Sequence, residues 1–227
     1  MNPSPNQKIC VVVQADNLDD FLARLIRVQK NAPWVELRMD SLSHVDRNSL
    51  ALIRSHTIKP AIFCYRQTTL PNEHQAKQWN FLYEQADQLA FELLDMDLCC
   101  QPLWINKPWK TPRLISHHDV NNTPSDHDLA SLITQLRSSK PSVIKLATYT
   151  HTLEDVKRLI NLLLQKPDSE NWIIIGMGDA GKILRIMGPY LGTYLSYASE
   201  GHAISAAGQF DYPRMQAIYR LIEESQT

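Results

Sequence analysis

Glycine is scarce and unevenly placed in this chain of 227 residues: there are seven, and none precedes Gly176. That excludes a glycine-rich phosphate loop after the first strand-like segment, where the chain reads Gln14-Ala15-Asp16-Asn17. No GxGxxG and no Walker A pattern occurs. Cysteine is sparse too. Cys10, Cys64, Cys99 and Cys100 lack zinc-site spacing and read as reduced cytosolic thiols. Neither sign of charge is in excess, since 23 Lys and Arg against 24 Asp and Glu leave −1. The balance offers no basic footprint for nucleic acid and no polybasic membrane patch. Long apolar runs are missing, so no segment reads as a membrane span. The polar start MNPSPNQK leads into a strand rather than a signal-peptide core, and a cytoplasmic protein is expected. A hydrophobic content of 44% with 21% charged residues excludes a disordered or collagenous chain.

What is present is alternation. Short apolar segments predict strands at Lys8–Gln14, Trp34–Arg38, Pro60–Tyr65, Phe91–Asp97, Arg113–His117, Ser142–Ala147, Trp172–Met177 and Thr193–Tyr197. Several, such as CVVV and WIIIGM, are apolar on both faces, which suits a parallel sheet covered by helices. Between them, helices are predicted at Leu18–Lys30, Arg47–Ser55, Glu73–Gln88, Ser125–Ser138, Leu153–Lys166, Ala180–Gly188 and Tyr212–Glu224. Asn17 is read as an N-cap, Thr123-Pro124 as a cap followed by proline, and Thr152 with Asp155 as a capping box. The stretch Leu98–Pro112 holds three prolines and is expected to be a loop or one stunted turn.

Eight strands with intervening helices predict an α/β fold, a single (β/α)8 barrel domain over residues 1–227, with the connection between strands four and five shortened. A doubly wound open sheet is the second choice, and it lacks its usual glycine loop here. The glycines from Gly176 to Gly208 surround the ends of strands seven and eight. They suit either backbone amides that bind an anion or turns that need positive φ.

Barrel chemistry sits at the C-terminal ends of strands, so the polar residues there are the candidates. Strand two ends in ELRMD, with Glu36, Arg38 and Asp40 on one side. Strand three ends at Tyr65-Arg66, strand four carries Glu92, Asp95 and Asp97, and strand five ends in Ser116-His117-His118-Asp119. Lys145 lies within the apolar VIKLATY. Burial and nearby cations would lower its pKa and leave a nucleophilic amine, able to form a Schiff base with a ketone; alternatively it pairs with a strand-borne carboxylate. Only one of His117 and His118 can face the barrel mouth, where it could shuttle a proton. A metal held by His118 with Asp119 or Glu36 is disfavoured by the nearby lysine and arginines. Arg38, Arg66 and Arg185 could converge on a carboxylate or phosphate, or each could pair with a carboxylate in a structural network. Glu36, Asp95 and Asp97 are natural partners for these cations or for the histidine. Met177 is core filler or a contact for a ring-shaped substrate. Cys99-Cys100 is a loop pair or a redox pair.

In order along the chain, ELRMD, Tyr65-Arg66, LLDMDL, SHHD, VIKLATY, GMGDAGKILR and SAAGQ make the sequence resemble the type I 3-dehydroquinate dehydratases, Schiff-base enzymes of the shikimate pathway. The resemblance implies a lyase acting on 3-dehydroquinate. It makes Lys145 the imine-forming amine and His118 the general acid and base. It puts Glu36, Arg38 and Arg66 at the substrate hydroxyls, Arg185, Ser205 and Gln209 at the carboxylate, and Met177 beside the ring. It further implies a homodimer and no metal, nicotinamide or pyridoxal cofactor. The chain departs from the family pattern at Leu70, where many members have a glutamate that supports the histidine; the expectation is either that Glu73 or another carboxylate stands in or that His118 is tuned differently. Further departures are His117, where asparagine is frequent, and Ala207, where proline is usual. Two other functions stay open on the residues alone: a Schiff-base aldolase on a similar barrel, and a barrel that only binds a carboxylic acid.

Overall fold

The computed structural model describes residues 3–66, 71–201 and 206–225. Eight strands alternate with helical connections: β1 Ile9–Val13, β2 Trp34–Arg38, β3 Ala61–Cys64, β4 Leu93–Asp97, β5 Arg113–Asp119, β6 Val143–Tyr149, β7 Trp172–Met177 and β8 Ser196–Ser199. The helices are α1 Leu18–Val28, α2 Arg47–His56, α3 Glu73–Gln88, α4 Asp126–Ser138, α5 Leu153–Leu164, α6 Lys182–Met187 and α7 Tyr212–Glu224. All pairings are parallel, in the order β7-β6-β5-β4-β3-β2-β1-β8. At the remaining seam the Tyr194 N–H donates to the Trp172 carbonyl at 2.7 Å, so the sheet is a nearly closed (β/α)8 barrel rather than an open one. The pairing of β1 with β8 joins the two ends of the chain.

Period-two alternation divides each strand between two cores. Cys10, Val12, Ile62, Leu93, Leu114, Val143, Ala147, Ile173, Ile175, Met177 and Tyr197 fill the barrel interior. The intervening residues, such as Val11, Leu37, Phe63, Leu94, Ile115, Leu146 and Ile174, pack outward against helix residues including Leu25, Leu50, Tyr83, Ile133, Leu159 and Tyr219. This two-sided burial is why the strands read as continuous apolar runs.

The helix starts follow local side-chain chemistry. The Asn17 side chain accepts the Asp20 N–H, and Thr152 with Asp155 forms the reciprocal capping box. The expected Thr123-Pro124 cap is corrected. Ser125 caps α4 by accepting the Asp128 N–H, while the Thr123 hydroxyl is drawn into the core, 2.9 Å from the Thr148 hydroxyl and from the Tyr149 carbonyl. Tertiary partners outcompete the local cap there. Between β4 and β5 the connection has no α-helix: it begins with a six-residue 3-10 helix, Leu98–Leu103, containing Pro102, and continues as turns to β5. Among the described residues no helix is long and apolar enough to cross a membrane.

Candidate active site

The inward positions near the strand C-termini are polar where the lower ones are apolar. Register sets Asp97 beside Ser116, Ser116 beside Lys145, and Lys145 beside Ile173, so β4, β5 and β6 present their polar ends at neighbouring heights. They open into a cavity of about 370 Å³ lined by Glu36, Arg38, Arg66, His118, Lys145, Met177, Arg185 and Gln209, with Val12, Ala147, Ile175, Tyr197 and Ala206. The cavity thus gathers every residue that the resemblance assigns to the site except Ser205, while Asp40, Asp95, Asp97, Ser116, His117 and Asp119 do not line it. Ser205 and Leu70 lie outside the described residues.

Lys145 is 2% exposed. Its Nζ donates to Glu36 Oε2 and to Asp95 Oδ2, each at 2.8 Å, and lies 4.4 Å from the centre of the Tyr197 ring. The Ser116 hydroxyl donates to the other Asp95 oxygen at 2.6 Å, which fixes that carboxylate. The expected lowering of the Lys145 pKa is overturned. Burial does push the amine down, but Asp95 and Glu36 outweigh it and hold the pKa above the ordinary lysine value. The resting group is an ammonium shared by two carboxylates. Glu36 is held at about 2: burial would raise it, and the neighbouring Lys145, Arg66 and Arg38 prevail. Glu36, Cys64 and Asp95 approach within 4.8 Å of one another as a metal set would, but the Lys145 ammonium already stands against both carboxylates.

His118, not His117, lines the cavity. Its Nδ1 lies 3.4 Å from Asp97 Oδ2, while Nε2 is buried without a hydrogen-bond partner among the described residues. Burial first, and then the charge of Arg66, pushes His118 down to about 4. The ring is therefore neutral at pH 7 and able to accept a proton. Glu73 does not support it. That side chain is 85% exposed and pairs with Lys77.

The arginines differ. Arg38 forms a two-pronged pair with Asp40, at 2.8 and 2.7 Å, and Asp40 also accepts the Arg66 backbone N–H at 3.1 Å. The structural network therefore claims Arg38 even as it lines the cavity. Arg185 has no carboxylate partner among the described residues. It is 3% exposed; among the described residues its Nη atoms reach only the Tyr197 and Ala207 carbonyls, at 3.5 and 3.3 Å, and its Nε has no partner. Burial pushes its pKa down to about 10, so it stays charged at pH 7. A buried, underpaired guanidinium facing a cavity suits a carboxylate or phosphate.

The late glycines explain how Arg185 gets there. A Cβ on Gly181 would sit 2.3 Å from the Gly176 carbonyl oxygen, so only glycine lets α6 start this close to β7. Gly208 has φ +75°, and a Cβ there would meet the Gly178 carbonyl oxygen at 2.1 Å. That contact brings Ala207 within reach of Arg185. Tyr219 on α7 and Ser196 on β8 both donate to the Arg185 carbonyl, at 2.7 and 2.9 Å, and brace the helix from behind. Gly181 and Gly208 are thus accounted for by close backbone approach around the arginine, whereas Gly192 and Gly201 have positive φ, +100° and +56°, without such a contact.

Two contacts escape a reading of sequence. Ser116, named at the end of strand five but given no role there, orients Asp95. Tyr197 covers the Lys145 ammonium, and only its inward register in strand eight hinted at that. Cys99 and Cys100 form no disulfide, their sulfurs lie 3.4 Å apart, and burial raises the Cys99 pKa, as the charge of Asp97 also does, which leaves a protonated thiol rather than a reactive thiolate.

Comparison with known proteins places the chain in a family and matches its fold. The profile of the type I 3-dehydroquinase family matches residues 9–226. A 3-dehydroquinate dehydratase of Coxiella burnetii is 38% identical over 218 residues, covering 94% of this chain and 92% of its own. One from Methanocaldococcus jannaschii is 36% identical over 231 residues, covering 95% and 99%. Among solved structures, a type I 3-dehydroquinate dehydratase of Clostridium difficile, crystallised with covalently modified comenic acid, is similar in fold. Its TM-score is 0.84 at 20% identity, covering 99% of this chain and 95% of that one.

Proposed function

This chain belongs to the type I 3-dehydroquinase family, and from that membership we propose that it dehydrates 3-dehydroquinate through an imine on Lys145, with His118 moving the protons and Arg185 anchoring the carboxylate. It is a 3-dehydroquinate dehydratase, a lyase of the shikimate pathway. The observation that carries the finer reading is one cavity faced by three groups: the buried Lys145 amine, the unpartnered Nε2 of His118 and the underpaired guanidinium of Arg185.

The chemistry follows from their charges. Attack on the ketone needs a free amine; Glu36, held at about 2, is too weak a base to free it, so the neutral His118 on the same cavity takes the ammonium proton and returns it to the departing carbinolamine hydroxyl. Addition and loss of water then give a protonated imine at the same place. Its positive charge replaces the ammonium between Glu36 and Asp95 and over the same Tyr197 face, so the site built for one cation is built for the other. The iminium withdraws electrons from the adjacent carbon. Neutral His118 removes that carbon's proton through Nε2, and the electron pair enters an enamine. As the enamine collapses back to the iminium, the β-hydroxyl leaves, and His118 returns its proton to make water. Hydrolysis of the imine frees the product and the lysine. Positioned proton transfer of this kind contributes about 10²–10⁴-fold. A substrate carboxylate on Arg185 would fix the ring against Met177 and hold the reacting carbons near Lys145 and His118.

Borohydride reduction in the presence of 3-dehydroquinate tests the reading. Intact mass and peptide mapping are expected to show a stable adduct on Lys145, and Lys145→Ala should lose both adduct and turnover. Turnover without any adduct on Lys145 from folded protein would overturn the imine route.

A further inference from the structure

Asp97 takes no part in the steps above. It closes β4 on the same inward face as Asp95, with its side chain 12% exposed. Its two carboxylate oxygens have different tasks. Oδ1 accepts the Cys99 N–H at 2.9 Å, in the first turn of the short helix that follows, and Oδ2 lies 3.4 Å from Nδ1 of His118. We infer that Asp97 is the positioning residue of the proton-transfer histidine: it holds His118 as the Nδ1–H tautomer and aims the Nε2 lone pair into the cavity. The inference rests on the reading that His118 moves the proton.

The tautomer follows from what the partners can do. A carboxylate only accepts hydrogen bonds, so a neutral imidazole beside it carries its proton on the facing nitrogen. Nε2 is then the acceptor, and it is the atom left buried and unpartnered. The other carboxylates near the ring are engaged elsewhere. Asp95 accepts from Lys145 and Ser116, and Glu36 accepts from Lys145. Charged groups around the ring are Arg66 from the end of β3, Asp95 and Asp97 from β4, and Lys145 from β6. The two cations oppose an imidazolium at rest, and Asp97 favours one when the ring takes a proton. Asp97 itself stays anionic: burial alone would raise its pKa, but His118 and the Cys99 N–H lower it below the usual carboxylate range. The shortened β4–β5 connection contributes here. Its helix starts directly after Asp97 and supplies the amide that turns the second oxygen toward His118.

The test reads the imidazole directly. With ¹⁵N-labelled histidine, NMR of the whole chain at pH 7 is expected to show His118 protonated on Nδ1. Asp97→Asn keeps the size and an acceptor for Cys99, but its amide can donate to Nδ1 and invert the tautomer. We expect kcat for 3-dehydroquinate to fall about 10²–10⁴-fold with KM little changed. Asp97→Glu should recover at least about ten-fold of that loss. A merely structural aspartate would alter melting temperature and leave the tautomer alone. A wild-type His118 protonated on Nε2 overturns the inference, as does an Asp97→Asn enzyme with kcat within about two-fold of wild type. If the variant fails to fold, the wild-type tautomer still decides. If the wild type does not dehydrate the substrate, the functional reading fails, while the spectrum still reports on Asp97.

Discussion

Lys145 and Arg185 are both cations buried in one barrel mouth, and their partners separate their roles. Lys145 is charge-compensated at rest by two carboxylates, an arrangement that offsets the several kcal/mol cost of burying an ammonium. Among the described residues Arg185 has carbonyl contacts only, and it stays charged at pH 7, so it gains most from an incoming anion. Replacing it removes charge-assisted bonds worth about 1.5–3 kcal/mol to a substrate carboxylate. Arg185→Gln is therefore expected to raise KM about 10–100-fold, with a smaller change in kcat, in steady-state assays. An unchanged KM would take the carboxylate off Arg185. At this scale the sequence was informative about residue identity but not about state. A lysine among Val143, Ile144 and Leu146 is conspicuous, yet its charge depends on Glu36 and Asp95, which lie 109 and 50 positions away.

The absence of glycine before Gly176 shows in the elements themselves. Helices α3 and α4 each end one residue past their C-cap in a left-handed conformation, at Ala90 with φ 54° and Lys140 with φ 48°. Glycine is the usual residue at such positions, because a Cβ there costs about 1–2 kcal/mol. Ala90→Gly and Lys140→Gly are expected to stabilise the fold by about 0.5–1 kcal/mol each after glycine's entropy cost, read by urea denaturation, with activity unaffected. A loss of stability would mean that the native side chains repay the strain through contacts. Element boundaries were legible to within a few residues where a local cap acts, as at Asn17 and Thr152. They were misread at Thr123, where a buried partner on β6 redirects the hydroxyl.

Across the whole molecule, the buried titratable groups make stability depend on pH. His118 has an ordinary pKa of 6.5 and about 4 in the fold, so the unfolded chain binds its proton first. Its contribution is fully present above about 6.5 and is lost as pH falls toward 4. Glu36, at about 2 in the fold against 4.5 ordinarily, adds a second loss as pH falls below 4.5. Melting temperature should therefore decline from pH 6.5 downward and more steeply below 4.5, and His118→Asn should flatten the first part. A melting temperature constant from pH 8 to 4.5 would contradict the burial of a neutral His118.

By itself the sequence determined the barrel, because eight doubly apolar strands alternating with capped helices have few other ways to bury both faces. It determined the candidate residues as well, because period two and strand ends place them on one rim. Tertiary structure alone decided which groups pair. The carboxylates on Lys145, the Asp97–His118 contact, the Tyr197 ring over the ammonium and the underpaired Arg185 each join strands or helices far apart in the chain. Coulomb and desolvation energies depend on those distances across the barrel and not on spacing along the sequence.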